Sequence, residues 1–477
     1  MHGLKLLLLA LVFTTTPASL LAQARATIVI THVAVIDMTG APIKRSMTVL
    51  VSGGRIETIA KSNRVRIPRG TQIVDARGKF LIPGLWDMHV HFNRADVTFP
   101  LFIAKGVTGV RNMGGELDDL LRWRSEISSG KIIGPQIVTC GPIVDGPQPA
   151  AQGPTIVVKD AAEGRAAVDS LKQRGADCVK VYDQLPRDAY FAIIGEAKKQ
   201  SLPVVGHVPL SITSIEAADA NQRSIEHLGT ILEGSSSLGS ELFAADKSLP
   251  PIKDPSEFPG RLAARGTKML DTYDPKRAGE IFAHFVTHQT WQVPTLEVKW
   301  VQTFIDQLSR HDDKRLNYIP AAERESWSPT KNFFARYRTP EYILFRKRLW
   351  EAELDLVRAM HRAGVPFLAG TDSGGAYTFP GFSLHHELEL LVEAGFTPME
   401  ALQAATRNPA IFLGELNSQG TIEKGKVANL VLLSANPLDD IRNTQEIKAV
   451  ILRGRLFSRQ QLDDLLADAA RAASVTR

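Results

Sequence analysis

The sequence predicts an α/β protein: a (β/α)8 TIM-like barrel with a small β-domain formed from both ends of the chain. Through the middle of the chain, strand-like runs alternate with helical ones, which is the pattern of a parallel sheet. Eight such strand-like runs are present, the number that closes a barrel. Runs rich in β-branched residues lie in 27–80 and again in 425–433 and 447–456, and they predict the β-domain. A doubly wound open sheet is the alternative fold.

The eight predicted barrel strands are bounded by turn residues or by helical periodicity. They are 85–91, 107–112, 136–141, 177–182, 203–207, 223–227, 291–296 and 366–371. Helices are predicted between most of them, including 160–174, 187–200, 275–288 and 350–362. We therefore divide the chain into 1–24, 25–80, 81–415 and 416–477: a leader, the first part of the β-domain, the barrel, and the rest of the β-domain with a terminal helix.

Two connections in the barrel are too long to be plain loops between a strand and a helix. They span 233–274 and 299–348 and follow the sixth and seventh strands. Active sites of this fold lie at the carboxyl ends of the strands, so both insertions are expected on the active-site face. The serine-rich stretch 235–240 is compatible either with that role or with a disordered decoration.

The first residues predict a secretory signal. Lys5 precedes an apolar run from Leu6 to Phe13, and the small residues Ala22 and Ala24 follow it. The apolar run is too short to cross a bilayer. We expect a secreted or periplasmic protein, with no membrane anchor once residues 1–24 are removed.

Composition narrows the class of partner. The 477 residues carry a net charge of +5, and 44% of them are hydrophobic, which is ordinary for a globular enzyme. Because no dense block of lysine and arginine stands out, we expect a small-molecule substrate and no nucleic-acid partner. The composition is compatible with a homo-oligomer. Cys140 and Cys178 are compatible with one disulfide bond or with two buried thiols.

A histidine pair gives the strongest local signal. His89 and His91 are two residues apart on a predicted strand, so both point to one face, roughly 7 Å apart along it. His207, His227 and Asp372 also lie at predicted strand ends, where a barrel brings them to one mouth. Any one of them alone would more often be structural, and it is their convergence that predicts a metal site.

Lys180 lies inside a predicted strand, where a lysine is costly to bury unless it is paired. A partnering carboxylate would be the ordinary explanation for it.

Together, these residues and the sequences around them resemble a known family. The matching pieces are His89-Xaa-His91, 106–111, Lys180, His207, 225–227, 370–372 and 420–430. The chain resembles the amidohydrolase superfamily of metal-dependent hydrolases over nearly all of 27–457, in the branch of imidazolonepropionase-like enzymes and Xaa-Pro dipeptidases.

The resemblance implies a site with two divalent metal ions. His89, His91 and Asp372 would hold one ion, and His207 and His227 the other. Lys180, carbamylated by carbon dioxide, would bridge both, and zinc suits this donor set best. The resemblance further implies that Asp372 moves the proton of a metal-activated water to the leaving group. Tyr182, on the same strand face as Lys180, would donate to the oxyanion, or would simply be a packed barrel residue.

Two departures from the family pattern bear on the substrate. Val208 and Pro209 follow His207 where related dipeptidases often have Ala-Tyr, and the loop 141–147 lacks histidine. The usual contacts to a substrate carboxylate are therefore in doubt. Three arginines of the second insertion would replace them unless they form a solvated basic face. They are Arg336, Arg338 and Arg346.

The leading function is hydrolysis of an amide or peptide-like C–N bond. A lactonase, esterase or phosphoesterase on the same two-metal site is the first alternative, and a non-catalytic binding protein is a remote one. The second insertion supplies aromatic residues for an apolar wall: Trp300, Phe304, Tyr318, Trp327, Phe333, Phe334 and Tyr337. We therefore expect a dipeptide or N-acyl amino acid with a bulky apolar side chain and a free carboxylate.

Overall fold

The computed structural model describes residues 27–246, 254–308 and 312–475. The predicted signal segment 1–24 lies outside these residues, as do the side chains of Phe333 and Phe334. The strands are β1 (Ile28–Val35), β2 (Lys44–Ser52), β3 (Arg55–Lys61), β4 (Gln72–Asp75), β5 (Phe80–Pro83), β6 (Leu85–Val90), β7 (Val107–Asn112), β8 (Gln136–Thr139), β9 (Ile143–Asp145), β10 (Thr155–Val157), β11 (Val179–Val181), β12 (Val204–Gly206), β13 (Ser224–Glu226), β14 (Trp291–Val293), β15 (Leu430–Leu433), β16 (Ile447–Leu452) and β17 (Arg455–Ser458).

Helices follow most of the central strands. They are α1 (Ala95–Ala104), α2 (Leu117–Ser128), α3 (Ala161–Arg174), α4 (Arg187–Lys199), α5 (Ser214–Asp219), α6 (Ile231–Gly234), α7 (Gly239–Asp246), α8 (Phe258–Asp271), α9 (Pro275–His288), α10 (Leu296–Phe304), α11 (Ala321–Ser326), α12 (Phe333–Arg336), α13 (Pro340–Arg362), α14 (Phe382–Glu393), α15 (Pro398–Ala404), α16 (Arg407–Phe412) and α17 (Arg459–Ser474). The sequence signals that begin and end α3 are typical: Asp160 caps its first turn, and Gly175 ends it in the left-handed region.

Strands from both chain ends share one sheet, in the order β17-β16-β15-β5-β1-β2-β3, with β4 paired to β1. The antiparallel pairing of β15 with β5 joins the two ends of the chain. Inward-facing residues such as Ile30, Val49, Leu430 and Ile451 form the core of this sheet. The strands β1 and β15 are buried along almost their whole length, so short apolar, β-branched runs mark them in the sequence.

The central strands are all parallel, which confirms the α/β class with a parallel sheet. They form two runs, β6-β7-β8 and β10-β9-β11-β12-β13-β14. The segment after α13 lies between the two runs. Its Leu368 N–H donates to Gln292 O of β14 at 3.0 Å, and Ala369 O accepts from Met88 N–H of β6 at 2.9 Å.

Two elements differ from the sequence prediction. The stretch 366–371 is not a regular strand, because the one β-bridge within it is the isolated bridge between Phe367 and Gln292. The predicted third strand, 136–141, ends at Thr139, and the chain resumes as β9 beside β11. Gly141 turns the backbone with a φ of +68° and Pro142 has no N–H to donate, so the strand is interrupted there.

The first insertion is structured around 235–240, so the alternative of a disordered segment there is wrong. Ser235 and Ser236 are buried, and the Ser236 and Thr272 hydroxyls lie 2.7 Å apart.

Cys140 and Cys178 form a disulfide bond, and the alternative of two buried thiols is therefore wrong. Across the three described stretches of chain, none of the helices combines the length and the apolar character that crossing a bilayer requires.

Candidate metal centre

The sequence-predicted ligands meet at the carboxyl ends of the central strands. His89 lies in β6 and Lys180 in β11, while His207 and His227 directly follow β12 and β13. Asp372 belongs to the segment that replaces the eighth strand. Its Oδ1 lies 3.4 Å from His89 Nε2, and 3.3 Å from Nε2 of the half-buried His91.

The remaining side chains extend the same cluster. The ring centroids of His89 and His227 are 4.6 Å apart, and those of His207 and His227 are 4.9 Å apart. Lys180 Nζ lies 3.4 Å from His89 Nε2. The structure therefore brings all six predicted ligands into one cluster.

Each histidine of the cluster has its Nδ1 next to a protein acceptor. The pairs are His89 with Glu226 Oε2 at 2.8 Å, His91 with Gly114 O at 3.3 Å, His207 with Asp183 Oδ1 at 2.8 Å, and His227 with Thr295 Oγ1 at 2.7 Å. The Thr295 hydroxyl donates to Pro294 O, so it accepts from His227. With Nδ1 protonated in this way, Nε2 carries the free lone pair that a metal ion needs.

His207 provides a direct test of whether a metal ion fits. Its Nε2 is buried, and no hydrogen-bond partner for it exists among the described residues. A buried polar atom without a partner is costly. A divalent cation at this point would coordinate that nitrogen, and imidazole with carboxylate is a donor set that suits zinc. The residues present therefore fit the predicted ions.

A buried ion pair between Glu226 and Arg111 contacts His89 at its Nδ1 atom. Glu226 Oε1 accepts from Arg111 Nη2 at 2.9 Å and from Ser224 Oγ at 2.5 Å, while its other oxygen meets His89. Arg111 Nε also donates to Met88 O at 2.7 Å. Both charged side chains are fully buried. The sequence interpretation assigned neither residue a role, although charges inside apolar strands mark such positions.

Burial and mutual repulsion shift the pKa values of the cluster. Burial is the main cause that lowers the pKa of His89 and His227 well below the usual range, and it lowers the pKa of Lys180 to about 8. Burial opposes ionisation of Asp372, but His227 and His89 hold its pKa well below the usual value. Burial therefore favours the neutral form of His89 and His227, the form in which an imidazole binds a metal ion.

Tyr182 lies against this cluster. Its ring stacks on that of His207, with centroids 3.9 Å apart. Burial raises the pKa of its phenol, so the hydroxyl stays protonated and able to donate. This position is compatible with the oxyanion role predicted for it, and equally with packing.

The backbone around the site is unusual in one respect. His227, Thr295 and Asp372 have φ values of +60°, +48° and +58°, in the left-handed region that such residues seldom adopt. Gly206, with φ +119°, precedes His207, and a Cβ there would lie 2.3 Å from Val181 O. Only glycine allows β12 to pass this close to the strand that carries Lys180.

Comparison with known proteins identifies the family to which this arrangement belongs. The profile of the amidohydrolase family matches residues 80–457. The chain belongs to the amidohydrolase family. It is therefore an enzyme of the amidohydrolase superfamily, and the non-catalytic alternative is excluded. Members of this family generally use divalent metal ions, in keeping with the group formed by His89, His91 and Asp372.

Individual relatives are distant but similar over most of their length. Ochratoxinase of Aspergillus niger is 24% identical over 436 residues, which cover 78% of this amidohydrolase and 73% of that protein. The crystal structure of a candidate prolidase from Bifidobacterium longum has a TM-score of 0.66 at 26% identity, covering 94% and 99% of the two chains. Bottromycin amidohydrolase has a TM-score of 0.74 at 23% identity, covering 94% and 90%. These likenesses imply the TIM-barrel type of α/β fold.

A cavity of about 490 Å³ is lined by residues that follow Thr295 and Asp372 along the chain, and none of the six clustered side chains is part of its described lining. Glu297 and Trp300 follow Thr295, and Tyr377 follows Asp372. His386 of α14 also lines the cavity: its Nδ1 lies 2.5 Å from Glu297 Oε2, and its ring lies 4.8 Å from that of Trp300. Among the described lining residues, Arg315 alone carries a permanent positive charge.

Other residues expected at the substrate serve the packing of the second insertion. Arg338 donates to Gln302 O and Thr303 O, and Arg346 donates to the Thr303 hydroxyl. Both guanidinium groups thus donate hydrogen bonds to acceptors at the end of α10, so neither belongs to a solvated basic face. Among the described aromatic residues of the second insertion, Phe304 packs on Trp350, Tyr318 on Phe382 and Trp327 on Tyr377, while Tyr337 lies beside Arg336.

Proposed function

We propose that this amidohydrolase cleaves an amide or peptide-like C–N bond of a small substrate, a dipeptide or an N-acyl amino acid. The proposal rests on one observation, an arrangement that the imidazoles of His89, His91, His207 and His227 share. Each Nδ1 meets a protein acceptor, and for His207 the buried Nε2 is left without a partner. That pattern prepares ligands for metal-assisted hydrolysis.

His89, His91 and Asp372 would hold one divalent ion, and His207 and His227 a second, with zinc as the best match to the donors. Lys180 would bridge the two ions as a carbamate. In that modification the neutral Nζ attacks carbon dioxide, an N–C bond forms and one proton leaves the nitrogen. The product is an anionic oxygen ligand where the unmodified side chain would bring a positive charge.

When bound, such ions would lower the pKa of a water molecule and polarise the carbonyl of the substrate. Asp372 would accept the proton of that water and deliver it to the amine that leaves. Tyr182 would donate its phenolic hydrogen to the oxygen that gains negative charge. Glu226, through its hydrogen bond to Nδ1, would keep the His89 ring in place during these steps.

In this proposal a bulky substrate side chain would reach the cavity lined by Trp300 and Tyr377. Arg315 would meet the free carboxylate there, among the lining carboxylates of Glu297, Asp313 and Glu389. Arg315 also pairs with Asp313 at 2.7 Å, so a substrate carboxylate would compete with that partner. Two relatives bear the names ochratoxinase and prolidase, and we extend to this chain the hydrolysis of small amide-type substrates that such names suggest.

We propose in addition how the domains of this enzyme are arranged and where it acts. The central strands would close as a (β/α)8 barrel over 81–415, and 25–80 with 416–477 would form a separate small β-domain and terminal helix. Residues 1–24 would be a signal peptide, and the mature enzyme would act outside the cytoplasm, with no membrane anchor and no nucleic-acid partner. A homo-oligomer is compatible with this arrangement.

Metal analysis of the purified protein, followed by a hydrolysis screen, tests the proposal. We expect two equivalents of zinc in the wild type, and His89→Ala is expected to lose both metal and activity. The matched control is His385→Asn, because His385 is equally buried but bonds Thr444 and Lys105 O, outside the site. An active, metal-free His89→Ala variant contradicts the site assignment.

The screen compares N-acyl amino acids, dipeptides, ochratoxin and lactones by their kcat/KM values. Equal cleavage of a substrate and its C-terminal amide contradicts carboxylate recognition, because a site built to pair a carboxylate discriminates strongly against its absence. A preference for lactones of more than about tenfold assigns the enzyme to ester hydrolysis instead, since tenfold corresponds to 1.4 kcal/mol of transition-state binding.

A further inference from the structure

A second group of metal-ligating side chains lies on the surface, apart from the site described above. It consists of Asp219 at the end of α5 and His284 and His288 of α9. Asp219 Oδ1 lies 2.6 Å from His284 Nδ1 and 3.3 Å from His288 Nε2. The three ligand atoms all lie within 4.8 Å of one another. We propose that these residues form a peripheral site for a divalent transition-metal ion such as zinc.

The two histidines are well placed for such a site. They are four residues apart on one helix, so both project from the same face. Their rings are nearly parallel, with an interplanar angle of 12° and centroids 6.3 Å apart. Two imidazoles and one carboxylate form the donor set found at zinc ions with an open fourth position. All three side chains are partly exposed, so an ion reaches them from solution without opening the fold.

The carboxyl end of α9 adds an electrostatic field that favours a bound cation. His288 is the last residue of that helix, and the carboxyl end of a helix carries a partial negative charge. A bound cation is stabilised there, as is a positively charged histidine. A hydrogen bond between His284 Nδ1 and Asp219 Oδ1 also stabilises the cluster when no ion is bound, so the site would fill according to the metal supply.

The position in the fold separates this site from catalysis. Helix α5 leads into β13 and α9 leads into β14, so the cluster lies where these strands begin. The ligands His207, His227 and Asp372 lie at the opposite, carboxyl ends. In barrels of this kind the face where strands begin contributes stability, while the other face carries the chemistry. The ion would therefore join α5 to α9 and stabilise the folded chain, with no part in turnover.

Titration of the holoenzyme with zinc chloride, followed by calorimetry and thermal unfolding, tests this proposal. We expect the wild type to bind one equivalent more than the catalytic site holds, and its Tm to rise with added zinc. His284→Ala and Asp219→Asn are expected to weaken this additional binding by more than about tenfold, a loss seen even for the hydrogen-bonded neighbours of ligands. Their catalytic metal content is expected to stay unchanged.

The control variant is His361→Ala, a helical histidine that pairs with a single carboxylate, Glu400. It is expected to keep the additional equivalent. Identical binding by the wild type and Asp219→Asn, or a wild type that saturates with the catalytic ions alone, overturns the proposal. Asp219→Asn preserves the shape of the side chain, so a loss of binding in that variant does not reflect unfolding.

Discussion

Replacing Glu226 with glutamine separates two roles of this side chain, because one oxygen meets His89 and the other meets Arg111. The substitution keeps the shape and an acceptor oxygen but removes the negative charge. Arg111 would then be a buried cation without its partner, since both side chains are fully buried. Removing one member of a buried ion pair costs about 3–5 kcal/mol. We therefore expect a large loss of stability.

The effect on the metal site has a different origin and is smaller. The hydrogen bond from His89 Nδ1 loses its charged acceptor, and a charge-assisted hydrogen bond is about twice as strong as a neutral one. Changes to such supporting residues weaken metal binding by about 10–100-fold. On the scale of 1.4 kcal/mol for each factor of ten, this corresponds to about 1.4–2.8 kcal/mol.

The two effects are measured separately, by thermal unfolding and by competition with a chromophoric zinc chelator. The double variant Glu226→Gln/Arg111→Met removes the unpaired cation as well, so it is expected to regain stability but not metal affinity. If Glu226→Gln binds zinc within about twofold of the wild type, far less than the change typical of such neighbours, then Glu226 does not hold His89 for metal binding.

Three further substitutions test the site. Lys180→Ala is expected to lose activity and to regain part of it with short carboxylic acids that replace the carbamate; an unmodified lysine in the mass spectrum of active enzyme refutes the bridging role. Asp372→Asn is expected to keep most of the metal and to lose about 10²–10⁴ in kcat, the usual contribution of an acid–base group; a rate within about threefold of the wild type removes Asp372 from proton transfer. Gly206→Ala is expected to lower the Tm and the metal content, because the new Cβ meets Val181 O; the control Gly195→Ala, in a helix with no atom within 4 Å, is expected to be neutral or stabilising, and equal Tm values for the two would contradict the argument.

The sequence predicted which side chains would lie together, because each of them has a local signature; their role as metal ligands stays a prediction. His89 and His91 share a strand face, and His207 and His227 close short apolar runs that become β12 and β13. Position along a strand is a local property, so the pattern of apolar residues is enough to place such side chains at the carboxyl ends of the parallel strands. The helix 275–288 was predicted at its observed bounds for the same reason.

What the sequence did not reveal depends on contacts between distant segments. Glu226 and Asp183 were not recognised because their partners, His89 and His207, are identified only when strands pair. The pairing of the two cysteines and the break after Thr139 depend on the same tertiary contacts. For the peripheral cluster, the spacing of His284 and His288 was visible, but Asp219 joins them only through the packing of α5 on α9.

The left-handed residues at the site indicate that its ligands are held ready by the protein itself. Such conformations cost of order 1–3 kcal/mol each and persist only where surrounding contacts fix them. Here Asp372 N–H donates to His89 O at 2.8 Å, and Thr295 is held by its bonds to Pro294 O and His227. These contacts between protein groups would order the ligands ahead of ion binding, so less of the binding free energy would be spent on ordering them.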